Sequence, residues 1–292
     1  QHWVNVINYR DYVDSAMRVL FGLTMTSELE KLIDIGINHE QQHQELLITD
    51  IKYILGHNPI FPTYQFDSAR VVMTNSEFGW LEMSSGIYEI GAEKSGFAYD
   101  NEQGKHKVFL ENYQISKSLV TNHDFLDFIN DGGYKRHELW LDEGWSWINE
   151  TGINSPIYWH QRDAQWFNYI REGLMKIDPN SILCHVSHYQ AAAYAEWSGM
   201  RLPTEFEWEV ASDKLYWGAR WEHTNSAYLA YPGFKKPAGA IGEYNERFMM
   251  NQMVLRGASV AASPNHSRKT YRNFFHPNVQ WHFSGIRLAK NG

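Results

Sequence analysis

Cysteine is almost absent. Cys184 is the only one in 292 residues, so no intrachain disulfide can form. That scarcity points to a reducing cytoplasm. Long apolar runs are absent too. None reaches the ~18 residues that a membrane-crossing helix needs, and no signal-peptide pattern opens the chain. Positive charge is scarce: the formal net charge is −8 and no Lys/Arg cluster stands out, which argues against a protein that tracks nucleic-acid phosphates. There is no internal repeat and no low-complexity stretch. What remains is an ordinary folded composition, 43% hydrophobic and 21% charged, long enough for one large or two medium domains. Twelve Trp, seventeen Tyr and fifteen Phe predict a loop-rich core in which large rings replace regular packing.

Helical periodicity dominates the start. Tyr9, Tyr12, Val13, Ala16, Met17 and Leu20 fall on one face of a helix over 9–21. Ser27 with Glu30 three residues on is a capping-box start for a second helix, which Gly56 and Pro59 stop near Leu55. At ~1.5 Å per residue this helix is roughly 40 Å long, the length of a bundle helix. Its expected inward face reads Leu32, Ile35, His39, His43, Leu46, Leu47, Asp50, Ile51 and Ile54. Two helices cannot bury bundle faces alone. The segment 1–60 therefore reads as an incomplete helical domain, and the opening at Gln1 without Met reads as that of a fragment. A linker over 61–80 leads to a second domain over 81–292.

In that second domain the texture changes to short strands (Gly86–Ile90, Lys107–Leu110, Tyr113–Ser116, Val254–Gly257, Gly285–Leu288) and long loops. Helices are expected over Thr121–Asp131 and Val186–Trp197, and from Thr204, with Glu207 at its capping-box position. The acidic run 138–150 reads as a surface loop anchored by Trp140, Trp145 and Trp147. The fold class is thus α+β.

The chemistry concentrates in His39-Glu40-Gln41-Gln42-His43-Gln44-Glu45. Two histidines four apart on a helix project from one face, and two neutral imidazoles there can reach one metal ion. The string also satisfies the His-Glu-x-x-His pattern of zinc proteases, with Glu40 as the base, although no third ligand or substrate-binding edge strand accompanies it. Glu45 lies about 200° around the helix from His43 and reads as a hydrogen-bonding support rather than a ligand.

The longer string Gly36–Glu45 resembles the His-x-x-x-His-x-Glu motif of the iron-dependent sulfoxide synthases of ergothioneine biosynthesis (EgtB-like). The second domain strengthens the likeness. Asp100-Asn101-Glu102, Val120-Thr121-Asn122, His185-Val186-Ser187, Arg201–Glu209, Leu255-Arg256-Gly257 and Phe283–Leu288 are similar to the formylglycine-generating-enzyme (sulfatase-modifying factor) fold, a C-type-lectin-like α+β domain. A DinB-like helical bundle joined to such a domain is that family's arrangement.

The resemblance implies a non-haem Fe(II) enzyme that uses dioxygen to couple a thiol to trimethylhistidine (hercynine) and leaves a sulfoxide. It implies His39 and His43 as iron ligands and Gln42 as a contact to the substrate imidazole. It places iron and substrate at the junction of the helical segment with the lectin-like domain. The family's third histidine lies upstream of anything matched here, and His2 is in the wrong context to replace it. Where mycobacterial-type members carry Arg-Asn-Trp-Asp, this chain has Arg272-Asn273-Phe274-Phe275. Asn273 matches, Phe274 keeps an aromatic face for a quaternary ammonium, and Phe275 replaces an acid that helps hold γ-glutamylcysteine. That loss favours free cysteine as the thiol.

Tyr244 matches a pocket tyrosine and is the expected proton donor, with Tyr228 and Tyr231 as alternatives. The catalytic tyrosine of mycobacterial-type members falls here on Ile241. One cysteine cannot supply the paired thiols with which formylglycine-generating enzymes bind copper, so Cys184 is expected to be buried structure. The alternatives are an ovothiol-type histidine–cysteine synthase, a non-catalytic lectin-like binding protein with a degenerate metal site, and a zinc protease.

Overall fold

A computed structural model describes residues 2–64, 73–93, 95–236 and 245–292 of the chain. It forms two compact units, Gln1–Gln41 and Gln42–Gly292, and the division falls within a helix. The first unit holds helix α1 (His2–Phe21) and the front of helix α2 (Ser27–Gly56). The apolar face expected of α1 is not buried: Tyr9 and Tyr12 are about 70% exposed, at 70% and 71%.

The part of α2 inside the second unit corrects the sequence expectation. Leu46, Leu47 and Ile54, placed on the inward face, are exposed, and so is His43. The buried positions are Thr49 and Gly56. The helix packs through the stripe 42–45–49–52–56, spaced by three and four, which is polar except for its last residue. Hydrogen bonds rather than apolar area secure it. Gln42 Nε2 donates to Tyr271 Oη at 2.5 Å, and Trp221 Nε1 donates to Glu45 Oε1 at 2.8 Å. Gly56 closes the stripe because a Cβ there would stand 2.9 Å from the rings of Tyr158 and Tyr169.

The rest of the second unit is a mixed α and β fold of short elements. In chain order they are β1 (Trp80–Met83), β2 (Gly86–Ile90), β3 (His106–Leu110), β4 (Tyr113–Leu119), α3 (Asn122–Asn130), α4 (Asp142–Thr151), β5 (Trp159–Arg162), β6 (Gln165–Ile170), β7 (Gly173–Lys176), α5 (His188–Trp197), α6 (Glu205–Ala211), β8 (Trp221–Ala227), β9 (Met253–Gly257), β10 (Asn273–Phe275), β11 (Ser284–Gly285) and β12 (Arg287–Asn291). The strands pair as β1-β4-β12, β10-β9-β8-β11, β2-β3 and β5-β6-β7. Every pairing is antiparallel except β11 on β8.

Capping chemistry explains the helix starts. Thr121 with Asp124, Ser187 with Gln190 and Thr204 with Glu207 each form a capping box at the head of α3, α5 and α6. Three expectations change. The acidic run 138–150 is not a loop, since α4 occupies most of it, with Trp140 and Ile148 buried. The strand expected over Gly285–Leu288 is split into β11 and β12 at the fully buried Ile286. The sheet β5-β6-β7 was not anticipated. Its first hairpin turns on Asp163 and Ala164, both at positive φ (48° and 59°), and an Asp-Ala pair carries no glycine signal for such a turn.

One apolar core gathers α3, α5 and the buried rings of Trp140, Trp159 and Tyr194. Beside it lies a lattice of buried ion pairs. Arg287 and Glu222 are both fully buried, with Nε 2.5 Å from Oε2. Arg287 also donates to the carbonyls of Ser116, Lys117 and Tyr216, and Trp208 Nε1 donates to Glu222 Oε2 at 2.6 Å. Glu205 pairs with Arg272, Glu209 with Arg256, and Glu102 with Arg268. Three buried histidines lie side by side, with His223 centred 5.9 Å from His188 and 5.7 Å from His282. Burial holds them neutral, pulling His188 from 6.5 to about 4, and burial together with His188 pulls His223 to about 3.

Two outcomes follow. Glu222→Gln leaves the Arg287 guanidinium buried without its counter-charge and is expected to cost about 3–5 kcal/mol in urea denaturation, while the double change Glu222→Gln with Arg287→Met costs less than the sum of the single ones. Because the unfolded histidines take up protons before the folded ones, stability is fully present above about pH 6.5. It falls as the pH drops from 6.5 toward about 4, the folded value of His188, which urea midpoints across that range will read.

Candidate functional site

Gln42, Asn273, Phe274 and Phe275 come together at one pocket of about 200 Å³ within the second unit. That is below the roughly 300–1,000 Å³ usual for drug-sized ligands and suits a small metabolite. Helix α2 supplies one wall and β10 the opposite one. Gln42 Nε2 donates to Tyr271 Oη at 2.5 Å, which fixes the plane of its amide. The Asn273 side chain is set by its neighbour, as the Phe274 backbone N–H donates to Asn273 Oδ1 at 2.9 Å. Phe274 stacks on Tyr228 at 4.0 Å and 10°, and Phe275 stacks on His282 at 4.4 Å and 22°. Both rings are therefore pinned, leaving an aromatic wall that does not have to be ordered when a ligand arrives.

The floor is built from the ion-pair lattice. Arg272 donates from Nε to Glu205 Oε2 at 2.8 Å and from Nη1 to the Asn101 carbonyl at 2.9 Å. Its guanidinium lies 3.9 Å over the ring of Tyr231. Glu45 is the carboxylate on the α2 wall. It accepts from Trp221 Nε1 and from Ser259 Oγ, and burial raises its pKa against the lowering effect of those two bonds. The expectation that Glu45 serves as a hydrogen-bonding support agrees with this, its partners coming from β8 and a loop.

His39 and His43 both lie on α2, four residues apart. Among the described residues no group of three or more His, Cys, Asp or Glu side chains comes together as a metal-binding set. Two imidazoles one turn apart are at most part of a donor set, and the described residues complete no metal centre. Tyr244, the expected proton donor, lies outside the described residues, as does Ile241. The alternatives are both committed to structure: Tyr228 Oη accepts from Asn101 Nδ2 at 2.8 Å, and Tyr231 Oη donates to Glu205 Oε2 at 3.0 Å. Burial comes first in raising the pKa of both phenols.

Sequence reasoning did not single out Tyr271, Trp221, Trp281 or His282, which also line the pocket. No pattern in the chain says that Tyr271, 229 positions away, would meet Gln42. Cys184, expected to be buried structure, is only partly buried and lines a different cavity.

Among the described residues no helix is long and apolar enough to cross a membrane. The hercynine oxygenase of Mycobacterium tuberculosis is 28% identical over 303 residues, a match that spans 87% of this chain and 70% of the relative. The hercynine oxygenase of Mycolicibacterium thermoresistibile is 26% identical over 311 residues, spanning 87% and 67%. The formylglycine-generating enzyme of Thermomonospora curvata is 29% identical over 165 residues, spanning 52% and 54%. Residues 72–220, half of the chain, match the model of the sulfatase-modifying factor enzyme 1-like domain. With that match and its mixed helix-and-strand architecture, the chain belongs to the sulfatase-modifying factor enzyme 1-like family.

Proposed function

We propose that the protein is an enzyme of the ergothioneine pathway: a non-haem Fe(II), dioxygen-dependent sulfoxide synthase that joins a thiol, preferably cysteine, to trimethylhistidine. The observation that carries this reading is the convergence of Gln42 with Asn273, Phe274 and Phe275 on one pocket, beside the helix that bears His39 and His43. The similarity to two hercynine oxygenases over most of the chain supports it. A reducing cytoplasm, in keeping with the single cysteine, would be its place.

His39 and His43 would hold iron together with a donor from outside the described residues. Iron would there gather the thiol and dioxygen and supply the oxidising chemistry. The chain's own residues do the rest. Gln42, with its amide plane fixed by Tyr271, is the contact for the substrate imidazole. Phe274, backed by Tyr228, offers its ring to the trimethylammonium group, an attraction of about 0.5–2 kcal/mol. Phe275 presents an aromatic face where a longer thiol would need an acidic partner. The walls of Phe248, Phe275 and Trp281 limit water around the reacting atoms. Tyr244 is the proposed proton donor.

Glu45 acts as a positioning residue. Its bonds to Trp221 and Ser259 set the rotation of α2 and hence the aim of Gln42, three residues earlier on the same face.

The deciding experiment is anaerobic loading with Fe(II), then addition of trimethylhistidine, cysteine and oxygen, with products read by mass spectrometry. A sulfoxide adduct that disappears in His43→Ala is the expected result. γ-Glutamylcysteine should turn over more slowly, and equal rates would overturn the preference for cysteine. Phe274→Ala should raise KM for trimethylhistidine about 3- to 30-fold and leave use of unmethylated histidine unchanged, which separates this reaction from the ovothiol-type one. Glu45→Ala strands the Trp221 N–H and should lower stability by about 1–3 kcal/mol. It should also lower kcat with little change in KM for cysteine, whereas a purely structural Glu45 would move stability alone.

A further inference from the structure

We propose that a second cavity, on another face of α2, is a binding site for a small organic carboxylate. It measures about 540 Å³, lies wholly within the second unit and shares no lining residue with the pocket described above. It goes beyond the sulfoxide-synthase reading and does not depend on it.

Two cations face this space without an ion-pair partner among the described residues. Lys52 Nζ stands 2.7 Å from His185 Nε2 and lies 4.9 and 5.1 Å from the ring centres of Tyr158 and Phe283. One of its three N–H groups is thus satisfied and two remain. Arg220 is only 7% exposed. Its guanidinium donates to the carbonyls of Leu183, Ala219 and Ile182, three of its five N–H bonds, so it is rigidly aimed while no carboxylate among the described residues neutralises it. The remaining charged pair on the wall is Arg171 with Glu172, where Arg171 Nε donates to Glu172 Oε1 at 2.8 Å. Burial first, and then repulsion from Arg220, draw Lys52 down to about 8 against the opposing pull of Cys184 and Glu172. Buried cations are normally paired, and among the described residues these two are not.

A neutral group points the same way. Tyr158 is 2% exposed, and its hydroxyl, a donor, has no hydrogen-bond partner among the described residues. A carboxylate would take N–H groups from Lys52 and Arg220 and the Tyr158 O–H. Its planar oxygens match the guanidinium plane. The nearby Glu172 weighs against a doubly charged phosphate. Ile51, Trp159 and Phe283 supply an apolar wall for an aromatic or aliphatic body.

Benzoate, its neutral counterpart benzamide and inorganic phosphate are the probes, titrated into the purified protein by calorimetry. Cys184, the single thiol of the chain, lines the same cavity, so its labelling rate with a small neutral methanethiosulfonate gives a second readout. Benzoate should bind saturably and slow the labelling of Cys184, while benzamide and phosphate do neither. Lys52→Met should weaken benzoate about ten- to a hundredfold, and Lys52→Arg should restore part of that loss. Equal protection by benzamide, tighter binding of phosphate, or benzoate affinity unchanged in Lys52→Met would overturn the proposal. Should Lys52→Met fail to fold, the comparison of benzoate with benzamide on the unmodified protein decides the question.

Discussion

The structure depends on the pairing of buried carboxylates with arginines, three of them buried and Arg268 partly exposed. Glu102, Glu205, Glu209 and Glu222 each meet one arginine, and all four arginines come from the last forty or so residues of the chain. Such pairs add little net stability over apolar packing, because removing two charges from water is costly. Their effect is on arrangement. An apolar side chain tolerates a shifted neighbour, whereas a guanidinium with four or five donors does not. Arg287 is bonded to Glu222 and three backbone carbonyls, so β12, β4 and β8 can meet in one way only. In a unit of short strands and long loops, this geometric demand substitutes for the register that long sheets would impose.

The candidate site inherits that rigidity. Arg272, held by Glu205, is followed directly by Asn273, Phe274 and Phe275. The same backbone that satisfies the lattice therefore presents the pocket wall. Helix α2 is fastened by the same logic, through hydrogen bonds from a polar stripe rather than through leucines. A helix held this way presents successive faces to two different cavities, Gln42, Glu45 and Thr49 to one and Ile48, Ile51 and Lys52 to the other.

Much of the local structure was legible in the sequence because its causes are local. A capping box needs only two residues three apart, and the one expected at Thr204 and Glu207 is present, whereas the head of α2 is capped not by Ser27 but by Thr26, whose side chain accepts from the Leu29 N–H. The strand Gly86–Ile90 declared itself through its own pattern. The buried face of α2 was misjudged because periodicity reports where apolar residues lie. It does not report whether a partner is apolar. Here the partners are Tyr271, Trp221 and Ser259, all bearing hydrogen-bonding groups, and they select the polar side. The β5-β6 hairpin was missed because Asp163 and Ala164 take up positive φ without a glycine to announce it.

The sequence by itself determined the class of fold, the starts of α3, α5 and α6, the spacing of His39 and His43, and the identity of four residues that line one pocket. Each rests on residues close together in the chain or on a resemblance carried by short strings. Only the tertiary structure decided which arginine meets which carboxylate, which face of α2 is covered, and that Lys52, Arg220, Tyr158 and Cys184 share one cavity. Those outcomes join residues far apart in the chain, 47 positions for Glu209 with Arg256 and 166 for Glu102 with Arg268. Charge pairing across such distances has many arithmetically equal solutions in a one-dimensional string, and close packing in three dimensions admits one.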